Sequence, residues 1–513
     1  MCDQEWGSMD ETEFDAMLAD SVSGLPPTDI VTEVTPWRKA IRRVLTGIAL
    51  SAITLNFWAL DYIMPAIGLI LSILGFRALR RENGWFRGCW RVTLIRAVFM
   101  LPSLAFDATI FQSAAHALPV FTLISLVFQA LQFLLSFCLW RGFLAVERKA
   151  GIEPHAGNAV ALMVWYAIVC FFALSGAGDI GFFGLIMIIA YVCIIRSLLK
   201  LSKELDEAGY AIETDTVRMS DPAAAVTILA VMLVGISCGY LFFNRYPMDW
   251  EPVSISGDGD LAEIKAHLVD LGFPEPILND LTEEDLRACA GAVRVVVQVE
   301  DHPVNSGRAV QERKYIEGKN HISAHTVYDT KELRITGIGV ELPGERTEWK
   351  VIHHFLWTTD PGFYGTESIQ LWPSYGVRLE GWTSDGKFTG QVLYDKAGQI
   401  YAAPYYSLGY ETFTSNSIFW GEQTSTDMFA TFSMPGDGEN HRGYVAYTLK
   451  EAEEGWLLDS WMNYTHQMTW LQYPVVTAKE TRMSGGMNSS GAFRTIQDAL
   501  QFYPYEWTGS TLD

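Results

Sequence analysis

Histidines at 321 and 325 are the first residues whose spacing invites chemistry, since two imidazoles four apart on a helix converge on one metal ion. The Ile-Ser-Ala between them and the Thr-Val-Tyr after them favour a strand instead, where residues four apart share a face but stand too far apart for one zinc. His353 and His354 are adjacent, so a strand turns them to opposite faces. Asp258-Gly-Asp260 opens like a calcium loop but lacks the third ligand and the closing glutamate, and the expected role is an N-cap turn. The sequence contains no HExxH, Cys-x-x-Cys or Walker loop. No metal site and no cofactor are expected, and no catalytic residue is assigned. A carboxylate pair for glycoside hydrolysis is defined by its separation in space, which the sequence does not give.

The densest unusual feature is aromatic: Phe363-Tyr364, Trp372, Tyr375, Trp382, Tyr401, Tyr405-Tyr406, Tyr410 and Trp420. Displayed on a surface, such rings stack on sugar faces or grip a peptide. Buried, they are the core and corners of a β domain. Trp372, Tyr375, Trp382, Tyr405, Tyr406, Tyr410 and Trp420 are the ligand-binding candidates.

The elements that must position these rings follow from periodicity. Asp260–Leu271 is an amphipathic helix, with Leu261, Ile264, Leu268 and Leu271 on one face and Gly272 and Pro274 ending it. A second helix starts after Thr282, where Glu283, Glu284 and Asp285 suit the positive end of the helix dipole. The two form a helical hairpin over 247–291. From Val293 the period changes to two. Val293–Val299, Leu333–Leu342, Glu348–Trp357, Ser368–Trp372, Gly376–Trp382, Lys387–Tyr394, Met428–Met434, Tyr444–Leu449 and Trp456–Tyr464 are expected strands. Ser384-Asp-Gly386, Asp395-Lys-Ala-Gly398 and Pro435-Gly-Asp-Gly438 are expected turns, and Phe493, Ile496 and Leu500 suggest a last amphipathic helix. Residues 292–513 therefore read as a mainly antiparallel β-sandwich or jelly-roll-like domain.

The preceding part has a different solvent. Seven stretches meet or approach the ~17–20 apolar residues that cross a bilayer. They are Val44–Leu60, Tyr62–Leu79, Val92–Phe111, Ala117–Trp140, Asn158–Ser175, Ile180–Arg196 and Ala223–Phe243, giving a seven-helix membrane domain over 37–246. The third carries Arg96, Pro102 and Asp107; Arg96 lies one turn from a basic end, where snorkelling explains it. Lys and Arg fall only in alternate connections, while Asp61, Asp107 with His116, and Asp179 mark the others. Basic residues near span ends stay cytoplasmic, so the N-terminus is expected inside and everything after Phe243 outside. Trp37, Trp85, Trp90 and Trp140 are expected in an interfacial belt. Gly235 and Gly239 share a face of the seventh span and are expected to allow close helix packing, as are Gly47 with Ser51 and Gly68 with Ser72. Gln129 and Gln132 can bond between helices.

Residues 1–36 hold nine acids and no Lys or Arg, which excludes a basic signal-peptide start. Ser8 with Glu11, then Phe14, Met17 and Leu18, suggest a short amphipathic helix in this tail, which either docks a cytosolic partner or lies on the basic loops. Six of seven cysteines lie in the tail or the apolar half, so the β domain, with Cys289 alone, has no internal disulfide and must stand on core burial. The apolar share of 49% excludes whole-chain disorder, and a net charge of −22 argues against nucleic acid as a partner. The lipid bilayer is the expected partner of the first half.

The segment containing LNFWALDYIMPAIGLILSILGFRALRREN, from Trp37 to Trp85, resembles uncharacterised multi-pass membrane proteins of Gram-positive anaerobic bacteria, as does LGFPEPILNDLTEEDLRACAGA at 271–292. The resemblance implies a single-membrane bacterial cell surface and no particular activity. Three functions stay open: an envelope protein whose outer domain binds or senses a glycan or peptide, an extracytoplasmic hydrolase of envelope polymers, and a transporter or its accessory subunit.

Overall fold

The computed structural model describes residues 37–503 apart from 53–58, 117, 154–156, 176–180, 209, 211, 213–218, 254–258, 305–307, 317–318, 328–329, 331, 345–347, 374–382, 418–420, 451–456 and 485–490. The acidic tail, the expected strand Gly376–Trp382, Asp179 and Asp258 lie outside the described residues. The chain divides into two compact units: the described residues up to Gly239 except Ala108–Ile110, and those three residues with Tyr240 onward.

The first unit is helical: α1 (Trp37–Ala52), α2 (Leu60–Leu79), α3 (Gly84–Phe106), α4 (Gln112–His116), α5 (Pro119–Ala150), α6 (Gly157–Ser175), α7 (Gly181–Glu207) and α8 (Asp221–Phe243). Among the described residues five helices are long and apolar enough to cross a membrane: α2, α3, α5, α7 over Gly184–Leu205, and α8. The apolar part of α6 is shorter, Gly157–Phe172. Local chemistry sets the ends. Asn83 caps α3 by accepting from the Phe86 amide at 2.9 Å, Pro119 opens α5, and Gly151 closes α5 in the left-handed region.

The two Gly-x-x-x-Ser pairs meet each other. A Cβ on Gly68 would lie 2.5 Å from both the Gly47 carbonyl oxygen and Ser51 Oγ, and one on Gly47 would run into Ser72 Oγ and the Gly68 carbonyl. α1 and α2 thus pack backbone to backbone, as small residues permit. Gly235 makes an ordinary approach to Ala105 of α3, at 3.5 Å for an added Cβ, and Gly239 is buried. Asp221 at the start of α8 accepts from both Arg43 of α1 and Arg77 of α2. Trp37 departs from the belt reading. It is 1% exposed, packs on Phe86, Phe143 and Tyr210, and donates to the Ser202 carbonyl. Trp85 and Trp140 do stand beneath the Arg141 guanidinium, and Trp90 beneath Arg80.

The second unit is mainly antiparallel β. Its strands are β1 (Glu251–Pro252), β2 (Arg294–His302), β3 (Arg308–Ile316), β4 (Lys319–Val327), β5 (Leu333–Leu342), β6 (Glu348–Trp357), β7 (Glu367–Pro373), β8 (Thr383–Lys396), β9 (Gln399–Pro404), β10 (Ser407–Ser417), β11 (Gly421–Phe432), β12 (Glu439–Lys450), β13 (Leu458–Gln467) and β14 (Phe493–Phe502). A seven-stranded sheet runs β1-β9-β8-β12-β6-β5-β2, a five-stranded sheet β10-β11-β7-β13-β14, and β3 pairs with β4. Alternation sorts the faces. Trp349, Val351 and Phe355 of β6 join Ile369, Met428, Met462 and Leu500 of the five-stranded sheet in one apolar cluster. Ile352, Tyr444 and Ala446 point the other way, onto α9 (Gly259–Asp270), α10 (Glu275–Leu278) and α11 (Glu283–Ala288). The helical hairpin is therefore a cover on the seven-stranded sheet, with α10 as an added turn.

Two expectations are corrected. The segment Phe493–Phe502 is strand β14, paired with β13 along its length. Its helix-like spacing of buried residues mixes two faces: Ile496 and Leu500 enter the core between the sheets, while Phe493 packs on Ala478 and Ala492. Ser384-Asp-Gly386 is a bulge within β8, where register shifts against β12 and Gly386 takes φ 75°, rather than a turn between strands. The turn at Ala397-Gly398 has both residues at positive φ, as a tight hairpin requires.

Candidate functional site

The outer face of the seven-stranded sheet is only partly covered by α9–α11, and the rest forms a trough of about 470 Å³. Its floor crosses six neighbouring strands: Ile400 on β9, Asp395 on β8, Arg442 on β12, His354 and Leu356 on β6, Arg334 and Thr336 on β5, and Val299 on β2. Register explains the convergence, because Thr336 stands opposite His354, and Arg334 and Arg442 both stand opposite Leu356. Pro274, Pro276 and Ile277 at the start of α10 make one wall. Five strand spacings give a length of roughly 24 Å.

The polar groups of the floor are organised around one guanidinium. Arg442 Nε donates to Asp280 Oδ1 and Nη1 to Asp395 Oδ1, each at 2.8 Å. His354 Nε2 lies 2.9 Å from Asp280 Oδ2, and Asn440 Nδ2 donates to Asp395 Oδ2 at 2.8 Å. Burial alone would lower the pKa of Arg442, but the two carboxylates raise it and keep the guanidinium charged. At the β5 end, Arg334 pairs with Asp301 directly opposite on β2.

Every oxygen of the two carboxylates is thus engaged. With Arg442, His354 and Asn440 on those oxygens, the arrangement holds charge in place.

Beneath α11 a second polar cluster ties the cover to the sheet. Lys350 Nζ stands 2.9 Å from Asp285 Oδ1, Thr389 donates to the same carboxylate at 2.6 Å, and Tyr444 Oη donates to its other oxygen at 2.5 Å. Burial would raise the Asp285 pKa, but Lys350 and these donors hold it below the ordinary carboxylate range. Thr282 caps α11 through the Asp285 amide, and its own amide donates to Tyr444 Oη at 2.9 Å.

The aromatic candidates are dispersed. Tyr405 is 8% exposed, donates to the Tyr444 carbonyl at 2.9 Å and belongs to the inter-sheet core. Gly390 makes room for it; at φ 147° its added Cβ would strike that same carbonyl. Tyr406 and Tyr410 are about half exposed; Tyr406 stacks on Tyr246, and Tyr410 meets Phe388 edge-on. Trp372 is partly buried on β7 opposite Trp461. Tyr375, Trp382 and Trp420 lie outside the described residues. Among the described lining of the trough there is no Tyr, Trp or Phe.

Other reactive types are enclosed or sparse. His353 Nε2 lies 2.7 Å from Ser460 Oγ, which also pairs with Tyr447, but His353 is 1% and Ser460 0% exposed, so this serine–histidine contact meets no substrate. Glu367 and His466 form a buried pair at 2.8 Å, with the Trp357 ring against the imidazole. His321 and His325 lie on β4 as expected for a strand, opposite Lys314 and Val310. Glu300, His302 and Asp498 bring ligand atoms within 4.8 Å of one another where the edges β2 and β14 meet, a His–carboxylate grouping of the kind that can ligate a metal ion. The expected strand stopped at Val299, short of Glu300 and His302, and nothing local announced Asp498 as their neighbour.

No protein-family model matches the chain, and no curated protein matches it. Among solved structures, a chain described as a pore forming protein matches over 38% of this chain and 93% of its own, at 10% identity and a TM-score of 0.15. At that score the likeness carries no argument.

Proposed function

We propose that this chain is a membrane-anchored binding protein whose β-rich unit holds an extended peptide of the cell envelope in the trough over β9-β8-β12-β6-β5-β2. The observation that carries the reading is the trough itself: long, walled by proline and aliphatic side chains, and floored by charges already fixed by their neighbours. Preorganised polar groups cost little reordering when a ligand arrives. At about 3.3 Å per residue, roughly seven residues of extended peptide span such a floor. The absence of Tyr, Trp and Phe from its described lining favours a peptide over a sugar chain, for which stacking rings are the usual platform.

The wider setting belongs to the same proposal. The five apolar helices, joined by α1 and α6, make seven spans; the two sheets close into a sandwich around their common core; and the basic connections keep the N-terminus cytoplasmic and the β unit outside. A bacterial cell surface accommodates all three, and the acidic tail is then available to a cytosolic partner.

The test is capture of peptide and glycan arrays by the full-length protein in nanodiscs. Arg334→Glu and Ile400→Arg, toward opposite ends of the trough, are expected to weaken peptide capture at least tenfold, while Tyr410→Ala leaves it unchanged. Capture of glycans that is lost with Tyr406→Ala and Tyr410→Ala, and indifferent to the trough variants, would move the site to the exposed rings.

A further inference from the structure

The helical unit contains a cavity of about 240 Å³, its walls mixing apolar side chains with a cluster of polar ones, that the peptide-binding reading does not use. Asp61 in the first turn of α2 and Asp107 at the end of α3 line it, with the hydroxyls of Ser51, Tyr62 and Ser103 and the guanidinium of Arg96. Arg96 and Asp107 belong to one helix, eleven residues or roughly 16 Å of rise apart, so the cavity has a cationic end and an acidic end.

Two buried atoms are left wanting. Asp107 is 4% exposed, and its Oδ1 accepts no hydrogen bond among the described residues; His116 Nε2 stands 3.6 Å away on an imidazole half open to the surroundings. Arg96 Nε is buried without an acceptor. A snorkelling arginine would present its head to water or headgroups, and this one turns part of it into the protein. Polar atoms are not left in this state in an apolar unit without cost, so they point to an occupant.

Charge identifies the occupant. The lining sets two carboxylates, Asp61 and Asp107, against one guanidinium, Arg96, and an uncompensated charge in a low-dielectric setting is expensive. One positive charge balances the site, whereas a divalent ion reverses the imbalance. The ligand atoms are hard: carboxylate and hydroxyl oxygens, with no thiol among the described lining. Such a set suits an alkali cation better than a soft transition metal. Ser51 already donates its proton to the Gly47 carbonyl at 2.9 Å, which leaves its lone pairs for an ion.

We propose that this cavity binds one sodium ion, held by the carboxylates of Asp107 and Asp61 and by the surrounding hydroxyl oxygens, with Arg96 setting the net charge so that a single positive charge completes it. The site ties α2 to α3, and its occupancy stabilises the helical unit.

Thermal unfolding of the full-length protein in nanodiscs, with sodium chloride exchanged for choline chloride at constant ionic strength, tests this. A saturable rise in melting temperature with sodium is expected. Asp107→Asn should lose at least tenfold in apparent sodium affinity and Ser103→Ala a few-fold, while Glu204→Gln on the exposed side of α7 keeps the wild-type response. Should Asp107→Asn fail to fold, the Ser103→Ala titration and sodium-23 line broadening of the wild type still decide the matter. Equal melting in sodium and choline overturns the proposal, as does a wild-type response from Ser103→Ala and Asp107→Asn. Stability that follows pH and ignores sodium also overturns it, and marks a proton in place of the ion.

Discussion

His353 shows how one residue can make a fold sensitive to acid. Its ring is sealed between the sheets, and burial pushes its pKa down to about 4 against the smaller upward pull of Asp498. An unfolded chain takes up that proton near 6.5, so between about 6.5 and 4 the unfolded state binds more protons than the folded one. The contribution of this neutral ring is complete above pH 6.5 and falls as pH drops towards 4, by an order-of-magnitude total of about 3 kcal/mol. Melts of wild type and His353→Gln across pH 4–7 should show a flatter profile for the variant, even if it is less stable throughout; parallel profiles would refute the assignment. Glu367 works in the opposite sense, since burial raises its pKa despite His466, and the wild-type-minus-variant difference removes its share. Adjacent histidines on a strand were legible as facing opposite ways. That one would meet Ser460 inside the core and the other Asp280 in the trough depended on a strand and a helix-to-helix turn more than seventy residues away.

At the scale of elements, the closest helix contact is the meeting of Gly47-x-x-x-Ser51 with Gly68-x-x-x-Ser72. Gly47→Leu would drive a side chain into the carbonyl of Gly68, and overpacking of this kind costs about 1–3 kcal/mol. The expected result is a melting temperature several degrees lower in detergent, with Ser51→Ala close to wild type; an unchanged Gly47→Leu would mean that the helices are not held at this spacing. The small-residue spacing was visible in the sequence, and so were β5 and β6, whose boundaries follow directly from alternation. β14 was misread because its three buried residues fall at helical intervals while belonging to two faces. The strands β9, β10 and β3 were missed because their polar or mixed residues do not alternate clearly, whereas the residues around His321 and His325 did announce β4. The trough was illegible for a related reason: its lining comes from six strands and a helical wall, with β12–β8 pairing bringing Arg442 near Asp395 and the turn between α10 and α11 delivering Asp280 to them.

For the molecule as a whole, composition divided the chain more clearly than any motif. The net charge of −22 combines an acidic tail, an apolar basic part and an acidic β-rich part, and the boundary near residue 240 coincides with the division between compact units. The proposed orientation follows from the basic connections. It is checked by placing a single cysteine at Asp437, an exposed turn position, in an otherwise cysteine-free chain. An impermeant maleimide should label it in intact cells, and labelling only after lysis would reverse the topology.

The edges of the seven-stranded sheet bear on a different matter, which is crowding. β1 is two residues long and includes Pro252, so it offers a neighbouring chain almost no row of free amides. At β2, the Gln298 side chain exchanges hydrogen bonds with the backbone of Gln501, and His302 pairs with Asp498, so this edge is engaged by β14. A domain concentrated in the plane of a membrane meets its own copies far more often than one free in solution. On the membrane anchorage proposed above, blunted margins on the largest sheet let copies pack densely without strand-by-strand growth from one to the next.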